Sequence, residues 1–312
     1  MTRCARKTII EALPGKETVC AIYVTYHPDA KFPERIARIA PQVAHIIIVD
    51  NHSNKDALRM LHGLSKSINC EFIENKENLG IATALNQGAR RAIELGYSWA
   101  LTLDQDSWPE AYLVATLTEI YTAHPEREKV KVMGSNYRSF RTDYIFLQCN
   151  DDTLNFIETE TVITSCSMMS LKAFEEVGSF RDDFFIDQVD HEYCLRLRSY
   201  GYKIIISCKP LMVHPLGNQT RHKILWKRPV CLNQPPLRRY YMTRNRFVLY
   251  RTYAFKEPHW VLSNLNAALK ETALIILFED QKIRKIMAML RGILHAISGR
   301  MGRSQSQSLD SR

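Results

Sequence analysis

The sequence predicts an α/β protein: a Rossmann-like, mostly parallel sheet with helices on both faces and a basic helical extension at the C-terminus. Three observations point there. Short apolar runs rich in β-branched residues recur at 19–26, 45–51 and 100–103; stretches of helical spacing separate them; and polar clusters follow where the runs end. Ligands of open sheets bind at the carboxyl ends of the strands, so those clusters are candidate site residues.

Taken in order, 19–26 and 45–51 read as strands flanking a helix over 33–43, and 71–75 as a further short strand. Residues 81–95 have helical spacing and stop at Gly96. Residues 100–103 form the next strand, and Pro109 opens a helix over 109–124 that ends before Pro125. Phe184-Phe185-Ile186 buries the approach to a helix through Arg198, and a strand from Gly201 finishes at Met212-Val213-His214. Residues 260–278 and 282–295 read as amphipathic helices. The boundaries are a catalytic-type domain over 1–230, an extension over 231–301 and a Ser/Gln-rich tail over 302–312 expected to be disordered.

With 312 residues, 46% hydrophobic and 24% charged, the chain is long and apolar enough for a full core, which excludes global disorder. Its net charge of +9 is uneven: from Thr220 onward there are 18 Lys and Arg against 5 Asp and Glu. The eight cysteines include no C-x-x-C pair and read as small core residues in a reducing compartment, neither a zinc site nor a disulfide framework. No secretion-type apolar stretch opens the chain, and the run 273–278 is too short to span a bilayer, so a cytoplasmic protein is expected.

Three clusters carry candidate chemistry. Asp50-Asn51-His52-Ser53 follows one strand, where a carboxylate accepts bonds from a base or ribose or simply begins an Asx turn. Asn78-Leu79-Gly80 through Asn86-Gln87-Gly88 opens a helix, where backbone and amides approach a phosphate or ribose, or cap the helix. Leu103-Asp104-Gln105-Asp106-Ser107 sets two carboxylates on one face of a strand end, suited to a hard divalent cation with positions open for a diphosphate. The alternative is a turn capped through Ser107. Downstream, Asp187, Asp190 and Glu192 surround His191 at a helix start, and His214 ends a strand as a candidate third metal contact.

In their order, these motifs and the Val24-Thr25-Tyr26-His27-Pro28 opening resemble the inverting glycosyltransferases of family 2, with the GT-A fold, and most closely bacterial rhamnosyltransferases of surface polysaccharide (O-antigen, lipopolysaccharide) synthesis. The resemblance spans roughly residues 19–251. It implies that Tyr26 and Asp50 contact the nucleobase and ribose, that Asn78, Gly80 and Asn86 shape the nucleotide pocket, and that Asp104, Asp106 and His214 meet Mg²⁺ or Mn²⁺, with Asp104 also near the ribose. Aligning on Cys194-Leu195-Arg196 places Asp190 at the family's general base, although Val189 stands where the family carries Glu; Asp187 and Glu192 are neighbouring acids. It further implies an inverted product, with dTDP-β-L-rhamnose as donor and an undecaprenyl-diphosphate-linked saccharide as acceptor.

The basic extension suits an anionic inner leaflet, hence a peripheral membrane enzyme on the cytoplasmic face, compatible with a homo-oligomer. Arg239, Tyr240 and Arg244 are placed by charge alone at an acceptor pyrophosphate or donor diphosphate. Nucleic acid is not expected as a partner, because the four aspartates of the cleft repel phosphates unless a metal intervenes. A UDP-hexose (galactose or glucose) donor is the alternative within the enzyme class, and a catalytically silent scaffold of a polysaccharide assembly complex the alternative outside it.

Overall fold

The computed structural model describes residues 11–139, 144–149, 155–215, 219–223 and 229–304. It opens with β1 (Val19–Thr25), α1 (Phe32–Ile39), β2 (His45–Asp50), α2 (Lys55–Ser67), β3 (Cys70–Glu74), α3 (Ile81–Glu94) and β4 (Trp99–Asp104). Parallel pairing joins β3 to β2, β2 to β1 and β1 to β4. β1 and β2 are buried nearly throughout, as parallel strands covered on both faces must be, and this is why they read as continuous apolar runs. Asn54 caps α2, its Oδ1 accepting from the Ala57 amide at 2.9 Å.

After β4 the sheet becomes mixed. β5 (Trp108–Pro109), α4 (Leu113–Ala123), β6 (Val130–Ser139), β7 (Phe156–Thr159), β8 (Ser167–Ser170), α5 (Leu171–Val177), α6 (Val189–Ser199) and β9 (Lys203–His214) follow. Among the described residues the sheet runs β3-β2-β1-β4-β8-β6-β9-β5, with β7 also on β9. β8 is antiparallel to both β4 and β6. The helix expected over 109–124 starts four residues late. Trp108 and Pro109 instead pair with Val213 and Met212 at the sheet edge, where a residue without an N–H is tolerated, and the Arg35 and Arg38 guanidiniums lie 4.9 and 5.3 Å from the Trp108 ring.

One apolar layer on the sheet holds Ile22, Val49, Leu85 and Leu195; the other holds Tyr23, Phe32, Leu103 and Met212. Cys149 and Cys208 form a disulfide, against the expectation of thiols throughout; the two lie 59 residues apart, a pairing that spacing does not reveal. Cys20, Cys166, Cys194 and Cys231 are buried free thiols, and Cys4 lies outside the described residues.

β10 (Thr220–Arg221) and β11 (Val230–Cys231) make a small antiparallel pair, and α7 (Pro236–Tyr253), α8 (Pro258–Phe278) and α9 (Lys282–Ile297) complete the chain. Tyr253 and Trp260 belong to the first core layer and tie the helices to the sheet. α9 crosses α7 closely at Gly292, where a Cβ would stand 2.7 Å from the Tyr240 carbonyl oxygen. By length and composition alone, the 21-residue α8 is apolar enough to cross a bilayer, which corrects the reading based on the shorter run 273–278; few of its residues are buried. The expected disordered tail begins ordered: the Gly302 amide donates to the Asp183 carbonyl at 2.7 Å and the Ser304 amide to Tyr241 Oη at 2.7 Å. From 305 onward it lies outside the described residues.

Candidate active site

The carboxyl ends of β1 and β4, the start of α3, the segment before α6 and the first turn of α7 enclose a cleft of about 570 Å³. Tyr26, Asn78, Gly80, Asp104, Asp106, Asp187, Asp190 and His214 all line it. Gln105, between the two aspartates, holds the loop of Tyr26: its Oε1 accepts from the Tyr26 amide at 2.8 Å and its Nε2 donates to the Tyr26 carbonyl at 3.0 Å. Tyr26 stays half exposed, its ring packed against that of His27 at 4.1 Å between centroids and its open side available to cover a planar group.

Asp104, Asp106 and His214 each place one ligand atom within 4.8 Å of the others. Ser107, wholly buried, hydrogen-bonds Nδ1 of His214 at 2.8 Å, which fixes the ring and leaves Nε2 as the nitrogen available to a cation. Burial pushes the Asp104 carboxyl up to about 7, helped by the neighbouring charges of Asp106 and Asp190 and opposed by Arg238. Burial likewise lowers His214, with Arg238 adding to the shift and Asp106 opposing it. Two carboxylates and a neutral imidazole at this spacing, with negative charge in excess, fit a divalent cation such as Mg²⁺ or Mn²⁺.

On the opposite wall the chain is strained. Phe185, Asp187 and Gln188 have φ of 64°, 65° and 63°, a region that side chains other than glycine seldom adopt. The segment is held from two sides. The Ile81 amide donates to the Phe185 carbonyl at 2.8 Å, a contact only glycine permits at position 80, since a Cβ there would meet the Phe185 oxygen at 2.5 Å. From α7, Asn245 Nδ2 donates to the carbonyls of Phe184, Ile186 and Asp187 at 2.8–3.0 Å, and Arg244 to Phe184 at 3.0 Å. Asp187 is thereby presented to Arg238 at 3.1 Å, with burial raising its carboxyl and the guanidinium opposing. Asp190 follows in the first turn of α6, its Oδ1 accepting from the His191 amide at 2.8 Å.

Several expected contacts lie elsewhere. Asp50 is fully buried and accepts from Thr25 Oγ1 at 2.8 Å, Ser53 Oγ at 2.5 Å and the Ser53 amide at 2.8 Å, so it ties two loops together while its neighbour Asn51 faces the cleft. Asn86, also buried, donates to Phe180 and Asp182 and does not reach the pocket. Glu192 pairs with Arg196 at 2.8 Å and accepts from Tyr253 Oη, behind the site. Arg239 and Tyr240 are 2% and 1% exposed. Arg239 is ion-paired to Glu279 at 2.9 Å and to Glu271, and Tyr240 bonds His295 at 2.7 Å, so neither reaches a diphosphate. Arg244 acts on the site from below, through the backbone it holds.

Helical phase explains the error: a run of cations along α7 offers one side to the core and another to the cleft, and Arg238 is the one that lines the pocket. Gln188, buried at the pocket wall with Oε1 unpartnered among the described residues, was likewise not singled out by its sequence.

Residues 20–178 match the family model described as Glycosyl transferase family 2. The chain is 29% identical to dTDP-rhamnosyl transferase RfbF of Shigella flexneri over 299 residues, covering 88% of this chain and 95% of that one. Among solved structures, S. aureus TarS 1-349 in complex with UDP-GlcNAc aligns at a TM-score of 0.60 with 14% identity, over 90% of this chain and 81% of that one. GalNAc-T7 with UDP, GalNAc and Mn²⁺ aligns at 0.52 with 15% identity, over 64% and 43% of the two chains. At these identities the two structures speak to the fold, which is GT-A.

Proposed function

Because the chain belongs to glycosyl transferase family 2 and is a glycosyltransferase, we propose that it transfers L-rhamnose with inversion from dTDP-β-L-rhamnose to a lipid-linked saccharide of surface polysaccharide synthesis. The sugar is argued from the likeness to RfbF over nearly the whole of both chains. The chemistry is argued from one observation: a cation-type cluster and a separate carboxylate, Asp190, on different elements of one cleft.

In this reading Tyr26 covers the thymine, with Asn51 and Asn78 along the nucleoside. Asp104, Asp106 and His214 would hold a divalent cation, and the chemistry it would supply is neutralisation of the charge of a departing diphosphate without donation of a proton. Asp190 accepts the proton of the acceptor hydroxyl as its oxygen bonds C1 and the C1–phosphate bond breaks on the opposite face, so the configuration inverts and an α-rhamnoside results. Arg238, held by Asp187, adds positive charge on the acidic side of the pocket.

The exposed residues Ile283, Met287, Leu290, Leu294 and Ile297 recur every three or four positions along α9, a helix with cations at Lys282 and Arg284 and no acid. Such a face lies on an anionic inner leaflet and brings the cleft to a lipid-linked acceptor. Calorimetry of dTDP-rhamnose against UDP- and GDP-sugars, with Mg²⁺ or Mn²⁺ and again with chelator, tests the donor. Metal-dependent preference for dTDP-rhamnose is expected; preference for a UDP-hexose would keep the chemistry and change the sugar, and no binding would sink the reading.

A further inference from the structure

A second cavity of about 280 Å³ adjoins the cleft, and His191 lines both. We propose that it is a subsite for a saccharide unit of the acceptor, the ring next to the one that carries the reacting hydroxyl. The inference rests on Asp190 being the base.

The cavity's outer wall is one face of α8. Trp260, Ser263, Asn264 and Ala267, at i, i+3, i+4 and i+7, line it, whereas Leu262, Leu265 and Leu269 of the same helix are exposed. Glu160 closes another side, its carboxylate bonded to His259 Nδ1 at 2.8 Å. Between the two cavities the His191 ring is fixed by Thr161 Oγ1 at 2.9 Å from Nδ1, which leaves Nε2 without a protein partner among the described residues.

The half-exposed Phe146 ring, beside an amide, a hydroxyl and a carboxylate on a floor made by the buried Trp260, suits a sugar ring, whose C–H faces pack on the aromatic surface while its hydroxyls bond the polar groups. A phosphate is disfavoured by Glu160, and Thr159, Thr161, Ser263 and Asn264 offer hydroxyl and amide partners that a bare polyprenyl chain would leave unused. Asp190 and His191 are consecutive, so an acceptor whose hydroxyl meets Asp190 carries its neighbouring ring past His191 into this cavity.

The test is saturation-transfer NMR on the full chain with dTDP and Mg²⁺ present and the methyl glycosides of L-rhamnose, D-glucose and N-acetyl-D-glucosamine as probes. Ala267→Trp fills the cavity from an exposed helix position without removing core; Ser263→Trp does the same if the first variant fails to fold. Transfer to at least one glycoside is expected in the wild type and is lost in the variant, with the dTDP signal unchanged. No glycoside signal in the wild type, or one that survives the filled cavity, overturns the subsite. A glycoside signal that the filling abolishes, in a protein that does not bind dTDP, would instead sink the donor assignment and leave the subsite standing.

Discussion

Two groups of buried charge, one in the cleft and one among the C-terminal helices, are built from the same residue types and balanced oppositely. Beneath α7, Arg239 and Lys285 share Glu279 at 2.9 and 2.7 Å, and Arg239 and Arg246 share Glu271, so nearly every charge has a partner. In the cleft, Asp104, Asp106, Asp187 and Asp190 face a single lining cation among the described residues, Arg238, and Asp104 is driven up to about 7. A closed network costs its desolvation once and holds the fold; an unbalanced one persists only if something else brings the missing charge. Imbalance, more than the number of acids, marks the site.

The largest effect should come from Asp190→Asn. Transfer is expected to fall by about 10²–10⁴-fold while donor binding and the unfolding midpoint stay unchanged, whereas Asp106→Ala should abolish the response of donor binding to chelator. Equal loss of binding and transfer in both variants would dissolve the division between base and cation site. On the balanced side, Glu279→Ala strands the buried Lys285, leaves Arg239 with Glu271 alone, and should destabilise by about 3–5 kcal/mol in urea unfolding. An unchanged midpoint would mean that the network is ornamental.

The proton on Asp104 and the cation compete for one carboxylate. Its pKa is raised, so it retains its proton up to about 7, and cation affinity should climb by about tenfold per pH unit below that value and level off above it. Calorimetric titrations of Mn²⁺ between pH 5.5 and 8.5, a range set by that value, check the slope; a flat profile would place the cation elsewhere. The smallest effect concerns the surface. Met287→Glu with Leu290→Glu should lower cosedimentation with anionic phosphatidylglycerol vesicles and leave transfer to a water-soluble acceptor intact.

The first half of the fold was legible because parallel strands buried on both faces are written as uninterrupted apolar runs, and because Asp104, Asp106, Asp190 and His214 stand next to such runs or at a helix start. Where local pattern competes with pairing, reading failed. Pro109 carries a helix-start signal, yet its neighbours hydrogen-bond to β9, and no short-range rule anticipates a partner a hundred residues away.

Residue types and their neighbours along the chain thus sufficed for the alternation of strands and helices, the D-x-D at a strand end and the basic C-terminal third, all of which depend on local periodicity and charge. Which of Arg238, Arg239 and Arg244 meets the cleft, that Asp50 and Asn86 turn inward, that Cys149 finds Cys208, and that α8 walls a second cavity were settled by packing. Each depends on the rotation of a helix or the meeting of distant segments, and a rotation of about 100° per residue moves a cation from solvent to core without changing the composition of the stretch that carries it.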